Sequence, residues 1–305
     1  MRLTNDFARV RVPATSANIG PGFDHTGLAL DLFDEVEIRA VVGDTFVQVM
    51  GHGADTVPTG EDNLIVQSVR RGLDYMDASQ VGIHMVARNR IPHGSGLGSS
   101  AAAIVAGLML SRALVGEGAM SDREVFELAT QIEGHPDNAA PAVFGGVTFS
   151  WMEGEDRDAQ TVVVPPPAGI DACVLTPSYS VATSKARSVL PEQVPHEDAT
   201  FNVARASLLS LILAGVASTE HLMAATEDRL HQAQRASAMP ATYDLVQYLR
   251  GRGLPAVVSG AGPSVLVLAN LDPAMRREAE AAGWKVKCPG ISPVGATIIE
   301  ATRSN

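Results

Sequence analysis

Between Pro92 and Ala102 the chain reads Pro-His-Gly-Ser-Gly-Leu-Gly-Ser-Ser-Ala-Ala, with three glycines and three serines. Alternation over Val81–Arg88 predicts a strand leading in, and the apolar run Ala101 to Leu110 predicts a helix leading out. Glycine lets a backbone turn with positive φ and bring its N–H groups close to a ligand. The free amides and the dipole of the helix that follows favour an anion such as phosphate. An ordinary Gly/Ser turn before a capped helix would also use these residues. The length of the loop and the apolarity of the helix it enters favour a nucleotide phosphate cradle.

What the loop lacks narrows its class. A Walker A loop ends in Gly-Lys-Ser/Thr, whereas this one ends in Gly98-Ser99-Ser100. The dinucleotide fingerprint requires glycine where Ser99 stands. The chain has only three lysines, Lys185, Lys285 and Lys287, so no early-strand lysine of the protein-kinase kind follows the loop. Backbone amides and serine hydroxyls must therefore do most of the anion holding.

The elements that position this loop come from a chain of 305 residues, long enough for one large or two modest domains. Its composition, 46% hydrophobic and 19% charged, is that of a globular protein. A net charge of −11 argues against nucleic acid as the main partner, because phosphate neutralisation needs clustered Lys and Arg. Cys173 and Cys288 form no metal or redox motif and are expected as two buried thiols in a reducing cytosol. The opening Met-Arg-Leu-Thr-Asn-Asp has no apolar signal core, and no run approaches the ~20 residues that span a bilayer. A soluble cytoplasmic protein with no membrane partner is expected.

Periodicity predicts strands at Ala8–Pro13, Asp34–Val42 and Thr45–Met50, a helix over Asn63–Met76, and a helix over Ser99–Leu114. Ser121-Asp-Arg-Glu is a capping-box start for a helix reaching about Ile132. Strands follow at Gly145–Trp151 and Thr161–Val164, on either side of an acidic turn from Glu153 to Asp158. Pro165-Pro166-Pro167 is the clearest linker, placing domain boundaries at 1–165 and 166–305. Beyond it, strands are expected at Asp171–Thr176, Ala256–Ser259 and Ser264–Ala269, with closing strands near Trp284 and Gly295. Helices are expected at Thr183–Leu190, Ala199–Val216, Ala241–Arg252 and Pro273–Ala282. Without strict βα alternation the pattern favours α+β. The apolar stretch Leu208–Val216 suits the core better than a dimer face.

Two further segments join glycine to small polar residues: Pro13-Ala-Thr-Ser-Ala-Asn-Ile-Gly-Pro-Gly-Phe-Asp24, and Ser259-Gly-Ala-Gly-Pro-Ser264. Each alone would pass for a turn. A third cluster, Glu133-Gly-His-Pro-Asp-Asn138, sets two carboxylates, an imidazole and an amide before the apolar Ala139–Phe144. Polar groups beside a core need partners, and a metal or substrate would supply them.

Together these segments resemble the GHMP family of small-molecule kinases. The three motifs look like Pro13 to Gly27, Pro92 to Ala102 and Ser259 to Ser264, in the family's order, and the resemblance covers nearly the whole chain. The string Gly-Leu-Gly-Ser-Ser-Ala-Ala is its most specific part. Asn18-Ile-Gly-Pro-Gly-Phe-Asp24, His135-Pro-Asp-Asn-Ala-Ala-Pro and Thr183-Ser-Lys-Ala-Arg187-Ser-Val-Leu-Pro191 look most like the homoserine kinase branch. Before Arg235 the chain reads Asp228-Arg-Leu-His-Gln-Ala-Gln, where relatives often carry Pro-Tyr.

The resemblance implies a two-domain α+β GHMP kinase fold, ribosomal-protein-S5-domain-2-like in its N-terminal nucleotide-binding half and ferredoxin-like in its C-terminal half. It implies ATP and Mg²⁺ as cofactors. Pro92, His93, Gly94, Ser95, Gly96, Leu97, Gly98, Ser99, Ser100 and Ala101 would hold the ATP phosphates, and Asn63 would help to hold the base. Ser100 and Glu133 would bind the metal. Asn18, Asp24, His135, Asn138 and Gly260 would line a pocket for L-homoserine, with Asp24 facing its ammonium and Arg187 and Arg235 clamping its carboxylate. The acceptor hydroxyl's proton would go to Asp137 or to the phosphate itself. A different alcohol, mevalonate-like or sugar, and a non-catalytic metabolite sensor are the competing expectations. Family habit favours a homodimer.

Overall fold

The computed structural model describes residues 1–155 and 157–303, so residue 156 of the expected acidic turn lies outside it. The chain opens with β1 (Phe7–Asn18), β2 (Gly22–Val41) and β3 (Phe46–Gly51), then α1 (Leu64–Tyr75), β4 (Gly82–Asn89) and α2 (Ser99–Val115). It continues through α3 (Asp122–Glu133), α4 (Pro136–Phe144), β5 (Val147–Glu153) and β6 (Asp158–Val164). These strands make a sheet in the order β1-β2-β4-β3, with β5 pairing the N-terminal part of β2 and β6 pairing β5. All its pairings are antiparallel except β3 with β4, which α1 connects.

The second half supplies β7 (Cys173–Thr176), α5 (Thr183–Ser188), α6 (His196–Leu213), and the short turns α7 (Leu222–Ala225) and α8 (Gln232–Arg235). Next come α9 (Pro240–Gly251), β8 (Ala256–Val258), β9 (Val265–Val267), α10 (Pro273–Ala281), β10 (Lys285–Lys287) and β11 (Thr297–Thr302). Strands β10-β7-β9-β8 form a separate antiparallel sheet. The final strand, β11, crosses back to pair with β1, so a segment expected in the C-terminal half completes the first sheet. Helices beside two largely antiparallel sheets are the α+β arrangement expected.

Three differences from the expected elements have physical causes. Pro13 lacks an N–H and looks like a strand end, yet β1 runs on to Asn18 because the ladder with β2 shifts register between Pro13 and Ala14 and resumes. The early part of β2 shows no alternation because Leu28, Ala29 and Leu30 are all buried. Helix α4 is masked by its prolines: Pro136 sits in the first turn, where no N–H is needed, and Pro141 lies inside. The expectation of two separate thiols is also corrected. Cys173 and Cys288 are joined by a disulfide. Pairing of Val286 with Leu175 and Lys287 with Val174 carries the next ladder position, 288, opposite 173. The cysteines therefore no longer speak for a reducing compartment.

Helix α2 is apolar on nearly every side and lies at the centre of the main core, against α1, α3 and β1. Helix α6 buries Leu209, Ile212 and Leu213 and leaves Val203 and Leu211 exposed. Among the described residues no helix is long and apolar enough to cross a membrane.

The fit of α1 on α2 depends on Gly107. A Cβ there would lie 2.5 Å from the Ile65 carbonyl oxygen and 2.5 Å from Cβ of Ser68. Alanine would favour the helix by about 1 kcal/mol, but overpacking costs about 1–3 kcal/mol. Gly107→Ala should lower the urea midpoint with the slope unchanged. An equal or higher midpoint would mean that the helices can separate at no cost.

Candidate active site

The phosphate loop is held by its carbonyls. Gly94 O accepts from the Val181 amide at 3.2 Å, Ser95 O from the Ser264 amide at 3.0 Å, and Leu97 O from the Thr15 amide at 3.1 Å. Gly96 O accepts from Ser259 Oγ at 2.7 Å. Thus the first and third glycine motifs, with the segment before α5, grip the loop from outside. Among the described residues no amide from His93 to Ala101 donates a hydrogen bond. Gly94, Gly96 and Gly98 all have φ between 61° and 79°. Gly98 caps α2 in the left-handed region, and a Cβ there would collide with Thr15 Oγ1. A row of unengaged amides thus runs into the N-terminus of a 17-residue helix, where backbone N–H groups favour an anion.

The opposite wall comes from the end of α3 and the start of α4. Ser100 Oγ donates to Glu133 at 2.8 Å. His135 Nδ1 lies 2.6 Å from Asp137 Oδ1, and Asn138 Nδ2 donates to the same oxygen at 3.3 Å. Asp137 is almost fully buried. Thr15 Oγ1 donates to Asn138 at 2.8 Å, which ties this wall to β1. Asn18 accepts from the Asp24 amide at 2.8 Å and donates to Gly260 O at 2.9 Å.

A third wall is cationic. Arg187 on α5 meets Asp24 with two bonds, of 3.0 and 2.7 Å. The family resemblance implied separate partners for these two side chains; here each is the other's. Arg235 on α8 is 1% exposed, and burial lowers its pKa below the usual guanidinium range. One cavity of about 100 Å³ is lined by Asn18, Gly94–Gly96, Gly98–Ser100, Glu133, His135, Asp137, Asn138, Arg187, Arg235 and Gly260, together with Val181 and Thr183. A second, of about 280 Å³, meets it at Ser99 and Ser100 and is walled by Val36, Val49, Pro58, Asn63, Ala87 and His93. Asn63 caps α1 through its side chain, so it shapes this wall with both polar ends engaged. Of the expected loop residues, Leu97 and Ala101 are buried beneath the cavities, and Pro92 lines neither.

Residues 63–146 match the profile of the GHMP kinases N terminal domain, and residues 212–284 that of the GHMP kinases C terminal. The homoserine kinase of Streptomyces coelicolor is 47% identical over 294 residues, covering 95% of this chain and 94% of that one. The homoserine kinase of Clavibacter michiganensis is 52% identical, covering 88% and 84%. The chain belongs to the GHMP kinase family. The crystal structure of homoserine kinase from Cytophaga hutchinsonii superposes with a TM-score of 0.84 at 27% identity, covering 97% of this chain and 98% of that one.

Several lining residues of this GHMP kinase escaped the sequence reading. Asp34, from the middle of β2, accepts from the Arg90 and Ile91 amides at 2.5 and 2.9 Å just before the loop. Burial pushes its pKa up to about 6 against those two bonds. Its signal was weak, because it is one of five carboxylates along β2. Val181 and Thr183 carry no chemical signal of their own.

The His135–Asp137 bond is the main cause of a raised His135 pKa, opposed by burial. A raised folded-state pKa contributes stability that is complete below the unfolded value, about 6.5, and is lost as pH rises through the folded value. In Asp137→Asn the His135 imidazole should titrate at lower pH, and that share of pH-dependent stability should vanish. NMR titration of the ring protons measures the first effect. An unmoved His135 would show that Asp137 is not its charge partner.

Proposed function

We propose that this GHMP kinase transfers the γ-phosphoryl group of ATP to the side-chain hydroxyl of L-homoserine, giving O-phospho-L-homoserine and ADP in the cytoplasm. The observation that carries this reading is the facing of unengaged loop amides and Arg187, itself paired with Asp24, across one small cavity. The names of the relatives above point the same way. An α-amino acid supplies both charges that such a pair loses when it opens: its ammonium takes Asp24, and its carboxylate takes Arg187 and Arg235.

The adjoining apolar cavity takes the base, and the amides from His93 to Ala101 take the phosphates. Ser100 Oγ and the Glu133 carboxylate form an all-oxygen pair at the helix start, which suits Mg²⁺. Among the described residues no cluster of three or more His, Cys, Asp or Glu side chains could hold a metal by itself. An ion completed by phosphate oxygens and water fits that inventory. When bound, it neutralises charge on the transferring phosphates. The transition state of phosphoryl transfer is loose, so positioning outweighs a strong base. The acceptor oxygen bonds to the γ-phosphorus, the β–γ bridge breaks toward ADP, and Asp137 takes the hydroxyl proton. His135 holds one Asp137 oxygen and so aims the other.

ADP release measured over a panel of alcohols should be fastest with L-homoserine; faster turnover of mevalonate or a sugar would overturn the acceptor assignment. Glu133→Gln should lower kcat about 100-fold or more with Tm unchanged. Turnover like that of the wild type would remove Glu133 from the metal site. Arg187→Ala should raise KM for homoserine and leave KM for ATP unchanged.

A further inference from the structure

One buried ring behind the cavity takes no part in this chemistry. His231, just before α8, is fully buried. Its Nε2 lies 2.7 Å from Gly20 O, its Nδ1 lies 3.0 Å from Nη1 of Arg235, and its face stacks on Phe23 with centroids 5.0 Å apart. The charged groups around it are Arg235, Asp24 and Asp228, whose carboxylate is 3.7 Å from Nε2.

The partners fix the proton. A guanidinium has donors and no acceptor, so Nδ1 must present its lone pair. A carbonyl only accepts, so Nε2 must carry the hydrogen. The ring is therefore neutral, since a second proton would set two cations 3.0 Å apart in a buried site. Burial and Arg235 lower the His231 pKa, outweighing Asp228.

The same accounting applied to Arg235 shows which end is free. Nε donates to Ala186 O at 3.2 Å, and Nη1 donates to His231 and to Gly260 O at 3.3 Å. Nη2 makes no hydrogen bond to the described residues. Phe23 lies under both guanidiniums, 5.4 Å from Arg235 and 5.8 Å from Arg187.

We propose that His231 is a positioning residue for the substrate carboxylate: as a neutral Nε2–H imidazole it pins Arg235 to the Gly20 carbonyl of the first motif, leaving Nη2 directed to the acceptor. The proposal rests on the amino-acid reading of the site given above. It makes His231 matter to one substrate and not to the other.

His231→Phe keeps the stacked ring and removes both nitrogens. It should raise KM for L-homoserine about tenfold or more, the usual loss for a hydrogen bond to a charged group, with KM for ATP and kcat changed by less than about twofold. His231→Gln, which restores an acceptor and a donor, should recover part of the loss. In an Arg235→Ala background, His231→Phe should add less than about twofold. A folded His231→Phe enzyme with unchanged KM for homoserine, or with both KM values raised alike, overturns the proposal. Nitrogen-15 NMR of the wild-type imidazole tests it without any variant. The neutral Nε2–H form should persist from about pH 5.5 to 8.5, across the ordinary histidine range, and a titrating ring or an Nδ1–H tautomer overturns it. If the wild type does not phosphorylate homoserine, the functional reading fails first, and the NMR result still decides the state of His231.

Discussion

Which way the peptide units of the glycine loop point decides what this protein can bind. A loop this rich in glycine has little conformational preference of its own. Here the carbonyls of Gly94, Ser95, Gly96 and Leu97 are each tied to a donor outside the loop. With the carbonyls so tied, the amides of the loop have no partner among the described residues. That inverts the usual rule that buried amides are satisfied. An anion that supplies several acceptors at once restores the rule. No lysine is needed, and the sequence has none before position 185.

The same economy of charge holds across the cavity. The chain is acidic overall, with a net charge of −11, yet two arginines line the site. Arg187 is balanced by Asp24 at the rim, whereas Arg235 is buried and bound mainly to neutral groups, two carbonyls and an imidazole. A buried guanidinium without a directly bonded carboxylate is costly. On the proposed reading, the substrate carboxylate supplies that missing counter-charge. Asp24, Asp228 and Asp137 contribute only at longer range, raising its pKa against the larger effect of burial.

The chemistry-bearing motifs were legible in the sequence because glycine, serine and acidic residues stand out against an apolar background. The three glycine motifs and the Glu133–Asn138 cluster do converge on one cavity. What was not legible arises from pairing across long separations. Asp24 and Arg187 are 163 residues apart, and nothing local says that one answers the other. Asp34 looked like one more strand residue until β2 brought it beneath the Arg90 and Ile91 amides. Local rules also misjudged Pro13 and Pro136, where a bulge and a helix first turn absorb the missing N–H groups, and Pro141, which lies inside the same helix. The disulfide followed from strand register, which spacing of two cysteines cannot reveal.

The site's position explains why so many of these links are long. It lies where the first sheet meets the second, and polar bonds cross there. Ser16 Oγ is 2.8 Å from Ser259 Oγ, the Gly260 amide donates to Ala17 O at 3.0 Å, and Asn18 donates to Gly260 O. Residues of the first motif thus hold the third, and both hold the phosphate loop through Thr15, Ser259 and Ser264. His231 adds a further tie, from Gly20 to Arg235. Any displacement of one sheet against the other would therefore strain the bonds that join the glycine-rich loop to Asn18 and Gly260. In-line transfer needs the attacking oxygen and the phosphorus aligned, and bonds shared between the loop and the cavity walls would serve that alignment. Strand β11, returning to β1 beyond the second sheet, limits that displacement further.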